Sequence, residues 1–379
     1  MWIFPIFSII AMLNGEKIRI SAQSKARAEI FASAHRCACS VDVHVCLARQ
    51  MIHDTQNCSR LRYLLPTLKH ILVMAAHAEL DAKTQAVLRK KGYILQKKLA
   101  AGAFGQVYSA LKSRHDGKEE MSAVKVMDLD KCGEKFKQKF LPRELSVLIQ
   151  VRHQNVIKVF DIFRMSGRIY IFMEFAPNGT IADYIKKNDA LSEIRSKIWF
   201  TQTGSALQYC HNKFGIAHRD IKVDNIMLDY NNNAKLTDFG FARIAYDPET
   251  GRLNLSETFC GTLPYYCPQI LQKRPYNPFK ADVWAMGVVL YGMLNNKFPF
   301  KFKDLRRMLQ TQMNRIWKYR EDREEILSRE VKDLISRIFE PDESRRPTMD
   351  DVMRHPWCAS AEGPSKSFSL NKSVDSKSD

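Results

Sequence analysis

Two short runs constrain this chain more than anything else in it. His218-Arg219-Asp220-Ile221-Lys222-Val223-Asp224-Asn225 reads H-R-D-x-K-x-x-N, and Asp238-Phe239-Gly240 begins eighteen positions beyond Asp220. Between them, Asn225-Ile226-Met227-Leu228 reads as a strand. Either tripeptide alone would be weak; the two in this order and spacing are specific. The residue types share a chemistry. Asp220 can accept a proton from a hydroxyl. Asn225 and Asp238 carry the hard oxygens that Mg²⁺ prefers, and Lys222 adds a compact positive charge. Such a set suits positioning and charge neutralisation around phosphate.

Other pieces fall in order around these runs. Leu99-Ala100-Ala101-Gly102-Ala103-Phe104-Gly105-Gln106-Val107 follows G-x-G-x-x-G-x-V in its last two glycines, with Ala100 in place of the first. Ser122–Met127 reads as a strand carrying Lys125, and Pro142 suits the first turn of a helix carrying Glu144. Strands are expected at Val156–Phe163 and Arg168–Glu174, and a long buried helix over Ser192–Asn212. Together these parts resemble the protein kinase superfamily across roughly residues 93–358, in the serine/threonine form that Lys222 marks. The runs KFLPREL, ETFCGT and RPYNPFKADVWAMGVVLYGML resemble the testis-specific serine/threonine kinases of the calcium/calmodulin-dependent group.

The resemblance implies an α+β, bilobal protein kinase fold, with a small antiparallel β-sheet lobe and a larger, mainly helical lobe. It implies ATP and Mg²⁺, with Mn²⁺ as an alternative, and protein substrates. The catalytic residues would be Asp220, Lys222 and Asn225, with Asn225 and Asp238 as metal ligands. Leu99, Gly102, Gly105, Val107, Ala123, Lys125, Glu144, Met173, Glu174 and Ala176 would line the nucleotide pocket, with Glu144 pairing Lys125, Met173 at the back and Glu174–Ala176 as the hinge. Thr258 would be a phosphosite held by Arg219, modified by an activating kinase or by autophosphorylation, and Thr262 would contact Asp220 and Lys222. Asp282 would cap the backbone of the catalytic loop. A chaperone is a further partner that the resemblance allows. Cytoplasmic and nuclear locations in germ cells are also implied by it alone. Ala100, Thr180, Val223-Asp224 and Gln269 depart from the usual pattern; Gln269 stands where an acid would pair with Arg346. The rival class is a pseudokinase scaffold, against which stand Lys125, Glu144, Asp220, Asn225 and Asp238.

Net charge is +18. That favours acidic and phosphate-bearing partners in general, but no dense basic tract interleaved with aromatics marks a nucleic-acid reader. Of nine cysteines, an odd number, the five in the kinase-like part (Cys132, Cys210, Cys260, Cys267 and Cys358) lack paired spacing, which points to a reducing compartment. The apolar run over residues 1–13 is shorter than the roughly 20 residues of a membrane span, so no stable membrane insertion is expected. The Cys/His-rich stretch from His35 to Cys58 lacks the C-x-x-C spacing of zinc sites. Domain limits are expected at 1–90 for a leader dispensable for catalysis, with a helix over 67–90, then 91–358 for the kinase domain and 359–379 for a disordered tail.

Overall fold

The computed structural model describes residues 84–102, 105–113, 117–129, 145, 150–246 and 250–359. Glu144, the Cys/His-rich stretch, the apolar start, most of the 67–90 helix and all but the first residue of the tail lie outside the described residues.

Strand composition builds the small lobe. β1 (Tyr93–Gly102), β2 (Gly105–Ser113), β3 (Glu119–Asp128), β4 (Val159–Met165) and β5 (Arg168–Glu174) form one antiparallel sheet in the order β1-β2-β3-β5-β4. On β5 the apolar residues run continuously, and the period of two sends them to two cores. Tyr170 and Phe172 join Tyr93, Ala110, Val124 and Leu88 on one face; Ile169 and Ile171 join Met127, Leu129 and Val159 on the other. β4 starts three residues later than its apolar pattern suggests. Val156 is drawn instead to a bridge with Leu236, and the Ile157 N–H donates to the Leu236 carbonyl at 2.9 Å.

Leu88 belongs to the stretch read as leader, yet it is fully buried in the small-lobe core. Residues 85–90 are helical. The turn that follows is closed by bonds from the Lys91 and Gly92 N–H groups to the Leu88 and Arg89 carbonyls. The Ser113 N–H then donates to the Gly92 carbonyl at 2.8 Å, and the Lys91 ammonium sits 4.4 Å over the Phe163 ring.

In the large lobe, α1 (Ile181–Asn188) is opened by Thr180, α2 (Glu193–Phe214) by Ser192, and α3 (Pro278–Asn295) by Asn277, each side chain accepting an N–H of the first turn. α3 is apolar on every side and buried along most of its length, the mark of a central core helix. Gly287 lets α4 (Arg329–Ile338) approach it; a Cβ there would stand 2.4 Å from Ile338 Cγ2. α5 (Met349–Arg354) follows a Thr348–Asp351 capping box. Glu193 then ties the end of the domain to the start of α2, accepting from Trp357 Nε1 at 2.7 Å and the Ser328 N–H at 2.9 Å.

Candidate active site

The catalytic loop is held from below by α3. Asp282, buried, accepts the His218 N–H and the Arg219 N–H, both at 2.7 Å, and bonds His211 Nε2 at 3.0 Å. Without that carboxylate two buried amides would lack partners. Arg219 takes a left-handed φ of 65°, which the paired bonds stabilise. His218 Nδ1 accepts from the Asp220 N–H, placing the ring proton on Nε2, which donates to the Thr237 carbonyl at 2.9 Å. That bond joins the loop to the strand pair β6 (Ile226–Leu228) and β7 (Ala234–Leu236), just ahead of Asp238.

Asp220 is the focus. Its Oδ1 accepts from Thr262 Oγ1 at 2.7 Å, and its Oδ2 from Lys222 Nζ at 2.8 Å and Asn225 Nδ2 at 3.0 Å. Lys222 Nζ also reaches Thr262 Oγ1 at 2.9 Å. Two near neighbours in the chain and one distant residue, Thr262, thus fix one carboxylate. Asn225 Nδ2 also donates to the Asp220 carbonyl at 2.9 Å. With the amide nitrogen so engaged, the amide oxygen remains as a hard ligand for a cation.

Lys125 projects from β3, and its Nζ donates to Asp238 Oδ1 at 2.9 Å. Burial alone would raise the Asp238 carboxyl; the Lys125 charge and hydrogen bond, aided by His218 and Lys222, hold it below the usual carboxylate range. It is therefore ionised and ready for a divalent cation. Glu144, the expected partner of Lys125, lies outside the described residues. Gly102 faces Gly105 across the β1–β2 turn. Gly105 permits close backbone approach, since a Cβ there would stand 2.2 Å from the Val126 carbonyl oxygen. These features fit a nucleotide with its divalent cation: a lysine, an ionised carboxylate, an amide oxygen and a glycine turn on adjoining elements.

The remaining expected pocket residues lie on the same sheet and its exit. Ala123 is buried opposite Met173; Val107 is half-buried on β2 and Leu99 exposed on β1. The Glu174 side chain faces away from a hinge role, pairing with Lys235 Nζ at 2.7 Å and accepting the Lys158 N–H. Any adenine contact there falls to backbone, with buried Ala176 next along. Thr180 forms a capping box with Asp183, and Asp224 is exposed beside the catalytic loop.

The segment after Asp238 is anchored in a way the sequence did not suggest. Arg219 Nε donates to the Phe241 carbonyl at 2.6 Å, and Nη1 to Ser256 Oγ at 3.1 Å. Thr258 is half-buried, and its carbonyl accepts from the Tyr276 hydroxyl at 3.0 Å. Ser256 and Tyr276 went unread because nothing in their local sequence marks them; their link is a pairing across twenty residues. Cys260 lies half-buried nearby, its thiol pushed up by desolvation. Gln269 does hold Arg346, whose Nη2 donates to Gln269 Oε1 at 2.9 Å, while Gln269 Nε2 donates to the Pro341 carbonyl at 2.7 Å. Among the described residues no group of His, Cys, Asp and Glu side chains forms a separate metal cluster.

Comparison with known proteins agrees with this geometry. Residues 93–358 match the protein kinase domain family. The chain is 41% identical over 275 residues to mouse (Mus musculus) testis-specific serine/threonine-protein kinase 2, covering 72% of this chain and 75% of that protein. It is 39% identical over 274 residues to mouse testis-specific serine/threonine-protein kinase 3, covering 72% and 98%. It is also 37% identical over 292 residues to human (Homo sapiens) testis-specific serine/threonine-protein kinase 1, covering 77% and 78%. With a kinase fold, an intact catalytic loop and these relatives, the chain belongs to the protein kinase family and is a serine/threonine kinase similar to the testis-specific ones.

Proposed function

We propose that the chain transfers the γ-phosphoryl group of ATP to serine or threonine hydroxyls of protein substrates, with Asp220 receiving the hydroxyl proton. The observation that carries this reading is the Asp220 carboxylate held at once by Lys222, Asn225 and Thr262. Thr262 orients the acid and Lys222 adds positive charge beside it. Lys125 would grip the phosphates, and Asn225 and Asp238 would hold the metal. The metal, Mg²⁺ or Mn²⁺, supplies charge neutralisation when bound with the nucleotide. Lys125, Asp220, Lys222 and Asp238, brought together as they are, support an enzyme over a scaffold.

Basic residues upstream of the acceptor would find Asp224 exposed, and the neutral Thr180 argues that such a preference is moderate. Phosphorylation of Thr258, by another kinase or in trans by a second copy, would raise activity. It adds about −1.5 to −2 charges, and the Arg219 guanidinium keeps donors beyond the two bonds it makes. The relatives' names support expression in male germ cells and a role in sperm development. Among the described residues no helix is long and apolar enough to cross a membrane.

The test is phosphorylation of a mixed peptide library with Mg²⁺ and labelled ATP. Lys125→Met, Asp220→Asn and Asp238→Asn are each expected to cut transfer by about a hundredfold or more. Asp220→Asn at near wild-type turnover would remove Asp220 from the role of base. Phosphotyrosine products would overturn the substrate class.

A further inference from the structure

Ser256 is held by contacts from three directions. Ser256 has no exposed surface, although its neighbours Leu255 and Glu257 are exposed. Its hydroxyl accepts from Arg219, the residue immediately before the base. Its backbone pairs with Tyr276 in both directions, the Ser256 N–H donating to the Tyr276 carbonyl at 2.8 Å and the Tyr276 N–H returning a bond at 3.0 Å. Tyr276 is itself buried; its hydroxyl donates to the Thr258 carbonyl, and its ring stacks with Phe259 at 6.5 Å between centroids. Six residues beyond Ser256 stands Thr262, bonded to Asp220 and Lys222.

We propose that Ser256, clasped between the Arg219 guanidinium and the Tyr276 backbone, is a positioning residue that docks the segment before Thr262 onto the catalytic loop without phosphorylation. A buried hydroxyl taking a hydrogen bond from a cation is a strong, directional tie. Arg219 joins it to the same backbone turn that carries Asp220, so the segment and the base are set against each other by one side chain. The kinase therefore has basal peptide phosphorylation with Thr258 unmodified. A phosphate on Thr258 adds a second tie to Arg219 rather than supplying the first. The inference rests on the phosphoryl-transfer reading of the site.

The experiment uses the full chain in a Thr258→Ala background, where no phosphate can form at that position. Hydrogen exchange is followed at the Ser256 and Tyr276 amides, and kcat/KM is measured separately for peptide and ATP. Thr258→Ala alone is expected to keep slow exchange and measurable turnover. Adding Ser256→Ala should speed exchange by about tenfold or more, the order of one lost bond to a charged group. It should lower kcat/KM for peptide by a similar factor while the KM for ATP stays put. Tyr276→Phe should fall between, and Glu257→Ala, at the exposed neighbour, should change neither readout. With Thr258 intact, phosphorylation should restore most of what Ser256→Ala loses. Unchanged exchange in the Ser256→Ala chain would overturn the proposal. So would a Thr258→Ala chain as inactive toward peptide as the double variant. Faster exchange in Ser256→Ala, with no transfer by any variant or the wild type, would support the docking role and sink the kinase reading instead.

Discussion

Leu88→Ala should weaken the small lobe even though residue 88 precedes the family match. Leu88 is wholly buried, in one core cluster with Tyr93, Ala110, Val124, Tyr170 and Phe172 among the described residues. Truncating a buried leucine costs about 2–5 kcal/mol, depending on how far the surroundings close over the space. Tyr170 and Phe172 are fixed on the paired strand β5, and Tyr93 is bonded through its hydroxyl to Asp161, so they have little freedom to collapse. The 85–90 helix, attached through a single turn, can move inward. We expect the lower half of the range, about 2–3 kcal/mol. At roughly 2–4 °C per kcal/mol for a domain of this size, the midpoint should fall by about 4–12 °C. Val87→Ala is the control: Val87 is 40% exposed and should change stability by at most about 0.5 kcal/mol. Thermal unfolding followed by circular dichroism compares the three chains. A Leu88→Ala midpoint within about 1 °C of wild type would refute the packing argument. The same reasoning proposes that a fragment beginning at residue 92 is less stable than one beginning at 84, so the kinase unit is best cut ahead of that helix.

Gln269→Ala should remove an acceptor from buried Arg346 and the donor to Pro341, costing about 1–3 kcal/mol in a urea titration. Transfer at temperatures well below unfolding should stay near wild type; a loss as large as that of Asp220→Asn would show that Arg346 acts on the chemistry. The two capping-box acids contribute to the acid limb of stability. Asp183 is held below the usual carboxylate range by the Thr180 backbone and then its side chain, and Asp351 by the Thr348 side chain and then its backbone. A carboxyl lowered in the folded state stabilises above its unfolded pKa of about 4, and that contribution is lost as pH falls through the folded value. Asp351→Ala should therefore cost about 1 kcal/mol at pH 7 and clearly less at pH 2; equal costs at the two pH values would show that its charge contributes nothing.

The site was legible where chemistry dictates the residue. Asp220, Lys222, Asn225, Asp238 and Thr262 were all readable in sequence, and their side chains converge because phosphoryl transfer tolerates few substitutes for a base, a hard ligand or a compact cation. Strand limits were less legible, because Val156 has the same β-forming character whether it pairs with β5 or bridges to Leu236. Leu88 was readable as part of a helix, but an apolar residue on a short helix does not say which surface will cover it. Ser256 carries no local signal at all. A serine two places before a candidate phosphosite is ordinary, and its role exists only because Tyr276 pairs with its backbone while Arg219 meets its hydroxyl.

The ties that shape the site converge on one end of α3. Tyr276 lies just ahead of that helix and pairs with Ser256; Asn277 caps it. In its first turns, Asp282 holds the backbone of His218 and Arg219. The same end is braced from behind, because Arg346 Nη1 donates to the Lys280 carbonyl at 3.1 Å, Lys280 Nζ donates to the Arg346 carbonyl, and the Asn277 N–H donates to Glu343 Oε1 at 3.0 Å. Catalytic loop and activation segment are thus fastened to one rigid buried element rather than to each other alone. Gln269 takes part in that brace where the family pattern has an acid. Arg346 keeps carbonyl acceptors at Glu340, Lys280 and Pro341 besides Gln269 Oε1, so the brace survives the loss of an ion pair, and a buried ion pair gives little net stability over a well-bonded neutral substitute. The bonds that tie the reacting side to this helix end run through Asp282, Arg219 and, on the segment, Ser256.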